Sequence, residues 1–335
     1  MKLTTHRKLD DFMKKKIKWG IIGLGDIAHG FAQVFSSENA ELVAVGSRSL
    51  AKAEEFAGKY HIPKAYGSYD ELYQDDEIDI IYLATPNSHH AKNMLAILNA
   101  GKHVLCEKAI TMNKQELDDV LALAEEKGLI VAEAMTIYHL PVYDTIKKRI
   151  NDGEFGDLKL ASAYFGSAKE PDPTNRFFSS DLGGGALLDI GVYALAFVQY
   201  FLDAEPAELS TLVNLYETGV DEMSTISYKT TEGTLGNVIM SFRGKLPKQG
   251  VVVCEDAYIT FNQYPSADKA TITFNDGAEE VVTAGDSRLR LRYEMENLTQ
   301  MLLTGENRSS IHLTKIVTNI MDTAIQSWGM DWVYD

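Results

Sequence analysis

The chain has 335 residues, 45% of them apolar, and a formal net charge of −16, and this length is sufficient for two globular domains. The acidic balance, with no basic patch after the first 18 residues, argues against nucleic-acid binding. Apolar runs fall short of the roughly 20 residues of a membrane span, and Cys106 and Cys254 lack disulfide or zinc-site spacing, which predicts a cytoplasmic protein.

An apolar run that ends in a glycine-rich turn opens the folded part of the chain. The run Lys18–Ile22 leads into Gly23-Leu24-Gly25-Asp26-Ile27-Ala28, and a helical pattern follows. Strand, Gly-x-Gly-x-x-Ala and helix in this order are the fingerprint of a dinucleotide-binding turn. Gly23 permits the tight turn, and Gly25 lets backbone N–H groups approach a pyrophosphate. We therefore predict a Rossmann fold, with Asp26 and Ile27 also beside the cofactor.

The residues after the second predicted strand, Glu41–Val45, indicate the preferred cofactor. NAD-binding members of this fold place Asp or Glu there to hold the ribose 2′-hydroxyl. This chain has Ser47 and Arg48, with Lys52 one helical turn later. A hydroxyl, a guanidinium and an ammonium suit a 2′-phosphate, so we expect NADP(H) to be favoured over NAD(H). The alternative is that Ser49 caps the next helix while the two cations are merely solvated.

Two further predicted strands end in polar residues, at the edge where open α/β sheets bind ligands. The strand Ile78–Ala84 is followed by Thr85-Pro86-Asn87-Ser88-His89-His90, and the strand His103–Cys106 by Glu107-Lys108-Ala109. Partial desolvation suits Lys108 to proton transfer, and Glu107 can hold its charge or bind a ribose. Alternatively, Asn87 or Ser88 caps the next helix, and Glu107 and Lys108 form a surface ion pair. The adjacent histidines point in different directions, so we expect no metal site.

The order of the motifs resembles the glucose–fructose oxidoreductase, inositol dehydrogenase and rhizopine-catabolism (Gfo/Idh/MocA) family. The resemblance covers nearly the whole chain and rests on Gly-Leu-Gly-Asp-Ile-Ala, Thr85-Pro86-Asn87 with His90, Glu107-Lys108, and Glu133-Ala134-Met135. Within the family, the stretch Gly183–Tyr193 is most similar to the dimeric dihydrodiol dehydrogenases and glucose–fructose oxidoreductase.

The resemblance implies a role for each matching residue. Residues expected to line the nicotinamide half of the cofactor site are Thr85, Pro86, Asn87 and His90. Glu107 is implied to contact the nicotinamide ribose, and Lys108 the reacting oxygen and the ribose. Asp189 and Tyr193 are implied to face the substrate, with Tyr193 exchanging the proton.

The residues themselves also bear on the substrate half. A helix predicted to begin at Asp181 places Asp189 and Tyr193 four apart, on one face. A tyrosine pKa of about 10 has to fall for work near neutrality, and Lys108 can supply the cation. Without the family context, Tyr193 reads as an ordinary amphipathic-helix residue. Arg176, in the preceding loop, is a candidate substrate or phosphate contact and equally a candidate surface residue.

The sequence departs from the family pattern at three positions. Ala109 replaces the usual Pro after Glu-Lys, which leaves open how the turn aims Lys108. Thr136 and Tyr138 stand where related dehydrogenases carry Trp and Arg, so we expect a different substrate pocket. These differences leave the substrate unidentified and the reaction type unchanged.

The second half of the chain alternates like an antiparallel sheet with Gly-containing turns. Its predicted strands are 158–168, 208–217, 222–230, 234–242, 251–261 and 270–274, and two late helices cover 289–303 and 313–328. We therefore predict an α/β chain of three parts: a flexible leader (1–16), a Rossmann domain (17–136), and an α+β substrate and dimerisation domain (137–335). The family resemblance implies that the open face of the second sheet pairs subunits into a homodimer or homotetramer.

Together these features predict an NAD(P)-dependent oxidoreductase that moves a hydride between nicotinamide and a secondary alcohol or ketone. The expected substrate is a sugar, polyol or cyclic diol, bound in a cleft between the domains. Two alternatives remain open at this point: a non-catalytic NAD(P)-binding regulator, and a glycoside-cleaving enzyme that uses nicotinamide transiently.

Overall fold

The computed structural model describes residues 16–334, so all but the last residue of the predicted leader lies outside the described part. The first sheet has six parallel strands in the order β3-β2-β1-β4-β5-β6. These strands are β1 (Ile17–Ile22), β2 (Ala40–Gly46), β3 (Lys64–Tyr66), β4 (Ile80–Leu83), β5 (His103–Glu107) and β6 (Val131–Ala134). The helices between them are α1 (Asp26–Val34), α2 (Leu50–Tyr60), α3 (Tyr69–Tyr73), α4 (His90–Asn99) and α5 (Lys114–Lys127).

Both faces of this sheet are buried, as its almost continuous apolar strands require. Trp19 and Ile21 of β1 point to one face, and Ile22 points to the other, where Leu72 of α3 packs. Because β2 lies on one side of β1 and β4 on the other, the strand order reverses at β1. The crevice outside such a reversal, at the carboxyl ends of the strands, is where open α/β sheets bind ligands.

The second sheet has eight strands in the order β14-β13-β12-β11-β7-β10-β9-β8. Only β7 and β10 pair in parallel; the other neighbours are antiparallel. The strands are β7 (Leu158–Gly166), β8 (Pro206–Leu215), β9 (Asp221–Thr230), β10 (Leu235–Ser241), β11 (Leu246–Cys254), β12 (Ala257–Asn262), β13 (Lys269–Phe274) and β14 (Glu279–Thr283). The remaining helices are α6 (Pro141–Asn151), α7 (Val192–Leu202), α8 (Arg290–Thr304) and α9 (Ile311–Trp328).

The structure corrects two details of the predicted strands. The single strand predicted over 251–261 is the end of β11, a turn and β12, because Glu255 and Asp256 reverse the chain. The edge strand β14, which is polar and mostly exposed, was not predicted. The fold class itself, a Rossmann domain followed by an α+β domain with a large, mostly antiparallel sheet, is confirmed.

Helix α7 packs on one face of the second sheet against β7, β10 and β11. Within residues 16–334 no helix covers the opposite face, here called the open face, where residues such as Leu235 and Ile239 are exposed. The segment Ser180–Leu202 is apolar and long enough to cross a membrane, but 83% of its most apolar stretch is buried within the fold. Its apolar side chains therefore pack against the protein on every side, as those of a core helix do.

The chain returns to the first sheet after the second is complete. Met295 and Leu298 of α8 pack against Trp19, whose indole N–H donates to the Thr299 hydroxyl at 3.2 Å. Helix α9 in turn contacts α7, α5 and β6. The two late helices thus pack the second part of the chain on the first, whereas the division at residue 136 stays a prediction.

Gly23 provides a test of the turn after β1. Its φ is +82°, and a Cβ there would lie 2.4 Å from the backbone carbonyl group of Ala84. We expect Gly23→Ala to lower the free energy of unfolding by at least about 1 kcal/mol, because it adds a steric clash to an unfavourable φ. Urea unfolding measures this loss.

The matched control is Gly58→Ala, an exposed helical site with no atom within 4 Å of the new Cβ. The control should be neutral or stabilising by about 0.5–1 kcal/mol. Equal stability of the two variants would contradict the described turn.

Candidate active site

A cleft of about 690 Å³ opens at the carboxyl ends of β1, β2, β4 and β5 and extends to the loop and helix before α7. Every residue predicted for the site lines this cleft except His90. The predicted residues that line it are Gly23, Gly25, Asp26, Ile27, Ser47, Arg48, Lys52, Thr85, Pro86, Asn87, Glu107, Lys108, Arg176, Asp189 and Tyr193. Residues far apart in the sequence therefore meet in one cleft between the two sheets.

The glycine-rich turn leaves room for a ligand at the start of α1. No atom lies within 4 Å of the position that a Cβ on Gly25 would occupy, so the fold itself does not require glycine there. Gly25 is the N-cap residue of α1, and no side chain caps the helix. The free N–H groups and the positive end of the helix dipole fit a pyrophosphate. The chain thus has the cradle that a dinucleotide needs.

The far end of the cleft carries positive charge. Ser47, Arg48 and Lys52 line it together with Tyr69. The Ser47 hydroxyl accepts a hydrogen bond from the Ser49 backbone N–H at 3.3 Å. Within residues 16–334, neither Arg48 nor Lys52 forms an ion pair with a carboxylate. Two exposed cations without carboxylate partners can therefore bind an anionic group at this end.

Lys108 connects the two halves of the site. Its Nζ donates to the Asp189 backbone carbonyl at 2.8 Å and lies 3.4 Å from Asp189 Oδ1. The same Nζ lies 4.8 Å from the centre of the Tyr193 ring. The side chains of Lys108 and Asp189 are only 16% and 22% exposed, so this ion pair is far less screened than a surface pair. The surface ion pair considered for Glu107 and Lys108 does not form; Lys108 instead faces Asp189.

Tyr193 does not have the lowered pKa that the sequence led us to expect. Burial raises its pKa well above the usual range, and the carboxylates of Glu107, Glu294 and Asp189 raise it further. Lys108 lies over the ring and makes no hydrogen bond to the phenol oxygen. In this structure Tyr193 is therefore a neutral phenol near pH 7 and is suited to donate a proton.

Glu107 is buried beside Lys108 and is held by Tyr82, whose hydroxyl donates to Oε1 at 2.5 Å. The Lys108 backbone N–H lies 3.3 Å from Oε2. Burial raises the pKa of Glu107, although Tyr82 and the Lys108 charge oppose the rise. The carboxyl is thereby fixed at the wall of the cleft.

His90 is the predicted site residue that the structure places elsewhere. It is fully buried, with Nε2 2.7 Å from the Thr85 carbonyl and Nδ1 2.9 Å from the Ala109 carbonyl. Burial lowers its pKa, so one ring N–H of a neutral imidazole donates to one of the two carbonyls. His90 therefore lies behind the cleft between the loops after β4 and β5 and donates a hydrogen bond to one of them. The predicted helix cap at Asn87 is also wrong, because Asn87 lies in a 3₁₀ turn and α4 begins at His90.

Thr136 and Tyr138, which stand where related dehydrogenases carry Trp and Arg, do not line the cleft. The Thr136 hydroxyl donates to the Pro265 carbonyl at 2.6 Å, and Tyr138 lines a separate cavity of about 460 Å³.

In the turn after β5, where Ala109 replaces the usual Pro, the Lys108–Ala109 peptide bond is cis.

The predicted helix from Asp181 is also interrupted. Residues 180–182 form a 3₁₀ turn, and Leu187–Gly191 form a π-helical turn that leads into α7. Asp189 and Tyr193 nevertheless both reach the cleft. Arg176 is 69% exposed, lies 3.7 Å from Asp189 Oδ1 and sits over the Phe177 ring.

Several residues beside the site were missed by sequence reasoning. Phe177 lines the cleft, and Glu294 of α8 is fully buried with neither carboxyl oxygen hydrogen-bonded in the described structure. Glu133 was named only as part of the Glu133-Ala134-Met135 motif and was given no role, although a carboxylate within the apolar run of residues 130–135 is anomalous. Asp221 precedes Glu222 in an ordinary polar stretch, which offered no signal.

Family models match both parts of the chain. Residues 17–135 match an oxidoreductase family with an NAD-binding Rossmann fold, and residues 143–260 match the C-terminal domain of the same Gfo/Idh/MocA family. Among curated relatives, trans-1,2-dihydrobenzene-1,2-diol dehydrogenase of Danio rerio is 32% identical and covers 95% of this chain and 99% of its own length. The Mus musculus enzyme of that name is 36% identical over 70% of this chain and 72% of its own length.

Solved structures share the fold at lower identity. A 3-ketoreductase from Actinomadura kijaniata in complex with NADP and TDP-benzene has a TM-score of 0.80 at 23% identity, over 93% of this chain and 98% of that chain. Aldose-aldose oxidoreductase from Caulobacter crescentus has a TM-score of 0.82 at 20% identity, over 94% and 98%. The chain belongs to the Gfo/Idh/MocA family of NAD(P)-binding oxidoreductases.

Proposed function

We propose that this oxidoreductase transfers a hydride between NADP(H) and a secondary alcohol or ketone of a sugar, polyol or cyclic diol. The observation that carries the proposal is the placement of the Lys108 ammonium against Asp189 and over Tyr193, at the meeting point of the two sheets. The names of the curated relatives, which are diol dehydrogenases, and that of the aldose-aldose oxidoreductase among the structural neighbours support the substrate class. We also propose that the protein works in the cytoplasm.

Bound nicotinamide supplies the hydride acceptor or donor. Lys108 has three N–H donors, of which two are directed at Asp189, so the third is free for the reacting oxygen. Asp189 fixes the ammonium in place. Tyr193, protonated at neutral pH, donates its phenol proton to a developing alkoxide during ketone reduction and becomes a phenolate. In the direction of alcohol oxidation it is this phenolate that accepts the hydroxyl proton. The cleft between the sheets orients the reacting carbon.

The preference for NADP(H) rests on the positive end of the cleft. Arg48 and Lys52 lie beyond β2, where an acidic residue would select NAD. A 2′-phosphate gains charge-assisted hydrogen bonds there that a hydroxyl cannot match.

The open face of the second sheet supports the proposed homodimer or homotetramer. By the alternation of β-strands it carries six exposed apolar residues, namely Leu212, Met223, Leu235, Ile239, Tyr258 and Val281. An exposed apolar face of this extent favours a partner, and a second copy of the chain offers a flat sheet of the same shape.

Lys108→Met is expected to abolish hydride transfer, because it removes the cation that orients the reacting oxygen. Affinity for NADPH, followed by cofactor fluorescence, should remain within about threefold, since Gly25 and Arg48 bind the distant half. Nicotinamide absorbance with a panel of sugars, inositols and cyclic diols measures turnover.

Lys127→Met, at an exposed end of α5, is the control for loss of a lysine. Full activity of Lys108→Met would refute the mechanism. Cofactor binding without turnover of any alcohol in the wild type would favour the regulator, and sugar release without net reduction would favour glycoside cleavage.

Arg48→Ala should weaken NADP⁺ binding by about 10- to 100-fold, the range for a lost charged hydrogen bond. The affinity for NAD⁺ should stay unchanged, because NAD⁺ has no 2′-phosphate. Titration of both cofactors measures the ratio. Arg288→Ala serves as the control, since Arg288 pairs with Asp286 on the surface. An equal loss for both cofactors would remove the basis for NADP preference.

Ile239→Lys places a charge in a strand of the open face and should convert the assembly to monomers. Light scattering after size-exclusion chromatography measures the mass. Leu50→Lys makes the same change at a residue that is 48% exposed, away from this face, and should leave the mass unchanged. A monomeric wild type would rule out the proposed assembly.

A further inference from the structure

Two buried carboxylates that the proposed reaction does not use lie behind its two halves. Glu133 is 4% exposed and Asp221 is 0% exposed. Neither lines the cleft, yet each contacts the backbone within a few residues of a candidate catalytic side chain. A carboxylate in an apolar interior carries a large desolvation penalty, so each of them calls for an explanation.

Glu133 holds the turn that follows Lys108. It lies on β6 opposite Cys106 of β5, and its Oε1 accepts the Ile110 backbone N–H at 3.1 Å. Its Oε2 accepts the hydroxyl of Thr314, on α9, at 2.9 Å. One carboxylate therefore links the backbone two residues beyond Lys108 to a helix that packs between the domains.

Asp221 holds the turn that precedes Asp189 and Tyr193. Its Oδ2 accepts the Leu187 backbone N–H at 2.9 Å and the Ser224 hydroxyl at 3.3 Å. A Cβ on Gly185, whose φ is +115°, would lie 2.4 Å from Oδ1. The carboxylate thus accepts the first backbone N–H of the π-helical turn that carries Asp189 into α7.

Neither carboxylate stabilises the fold in its ionised form. Burial raises the pKa of Glu133 and that of Asp221 to about 7, far above their usual values of 4.5 and 3.8. The native state therefore binds more protons than the unfolded state between those values and about 7. Stability falls as pH rises through this window. Near neutral pH, the ionised carboxylates must therefore contribute by fixing the backbone turns that they contact.

The surroundings of the two groups differ. The charged groups acting on Glu133 are Glu107, which raises its pKa, and Lys108, which lowers it. Glu133 in turn raises the pKa values of Cys106, Tyr138 and Glu294. Asp221 faces the Ser224 hydroxyl and the backbone N–H groups of Ala186 and Leu187.

We propose that Glu133 and Asp221 are positioning residues, one in each sheet, that align Lys108 with Asp189 and Tyr193 by fixing the adjacent backbone turns. The inference rests on the proposed function for the identity of the reacting groups. It adds that the turnover number should fall on the acid side of about pH 7, because protonation replaces charge-assisted hydrogen bonds by weaker neutral ones.

Paired variants test the proposal. Glu133→Gln and Asp221→Asn keep one acceptor for the backbone N–H, whereas Glu133→Leu and Asp221→Ala keep none. We expect the second pair to lose about 10- to 100-fold in kcat, the scale of a misplacement near 1 Å. The first pair should stay within about fivefold of the wild type, with a flatter acid limb of the pH profile. NADPH affinity should change little in all four.

Two readouts do not depend on activity. Hydrogen exchange should accelerate at residues 108–112 in Glu133→Leu and at 185–191 in Asp221→Ala, because the held N–H groups are released. The Tm of Glu133→Gln should fall less than that of the wild type between pH 5 and pH 8, because the variant carries no buried charge.

The outcomes separate the two proposals. An inactive wild type would refute the proposed function, while accelerated exchange would still support the positioning of the turns. An active wild type whose Leu and Ala variants keep full kcat would overturn the positioning role alone. If the Leu and Ala variants fail to fold, the Gln and Asn pH profiles decide: an acid limb identical to that of the wild type overturns the proposal.

Discussion

The contact between the Lys108 ammonium and Asp189 is the interaction on which the site depends. Lys108 follows a strand of the first sheet, and Asp189 lies in a turn beside the second. A hydrogen bond of 2.8 Å between an ammonium and a backbone carbonyl is short and directional, and partial burial protects it from screening. Tyr193 lies beside Lys108 at the start of α7, directly after the π-helical turn. The two sheets thus meet through their reactive residues.

Around that contact the structure collects buried carboxyl groups. Glu107, Glu133, Glu294 and Asp221 are all buried, and burial is the largest cause of the raised pKa of each. Such a cluster is a poor way to stabilise a fold, since each ionised carboxyl loses its hydration. It creates a strongly polar region behind the cleft in which we propose that a phosphorylated cofactor and an alcohol bind. Arg48 and Lys52 supply positive charge at the opposite end of the cleft, although the chain as a whole is acidic.

Much of the site was predictable from sequence because its chemistry follows local rules. A glycine turn after an apolar strand, and polar residues after parallel strands, must come together at one edge of a sheet. The prediction that His90 lines the cofactor site was wrong because its neighbours in sequence line the cleft while its own side chain turns inward. The π-helical turn could not be predicted either, because it depends on Asp221, 34 residues beyond Leu187. Glu133 was visible as an anomaly, but its partners Ile110 and Thr314 are set by tertiary packing.

The fold shows the same division between local and tertiary information. Buried parallel strands have continuous apolar runs that are easily recognised. Short polar edge strands such as β14 carry no such pattern, and the hairpin from β11 to β12 requires knowing where the chain reverses. The packing position of α8 could not be predicted from local sequence patterns either. Its apolar stripe fits either sheet, and contacts with Trp19 and its neighbours place it on the first.

The most direct test of the account is to follow the hydride itself. The protein is incubated with NADP⁺ and an alcohol from the active part of the panel, deuterated at its carbinol carbon. The account predicts that the deuterium appears on the nicotinamide ring of NADPH, in one stereochemical position, and that Lys108→Met forms none of this product. NADPH without deuterium, or sugar release with no reduced cofactor, would contradict direct hydride transfer between an alcohol and the nicotinamide.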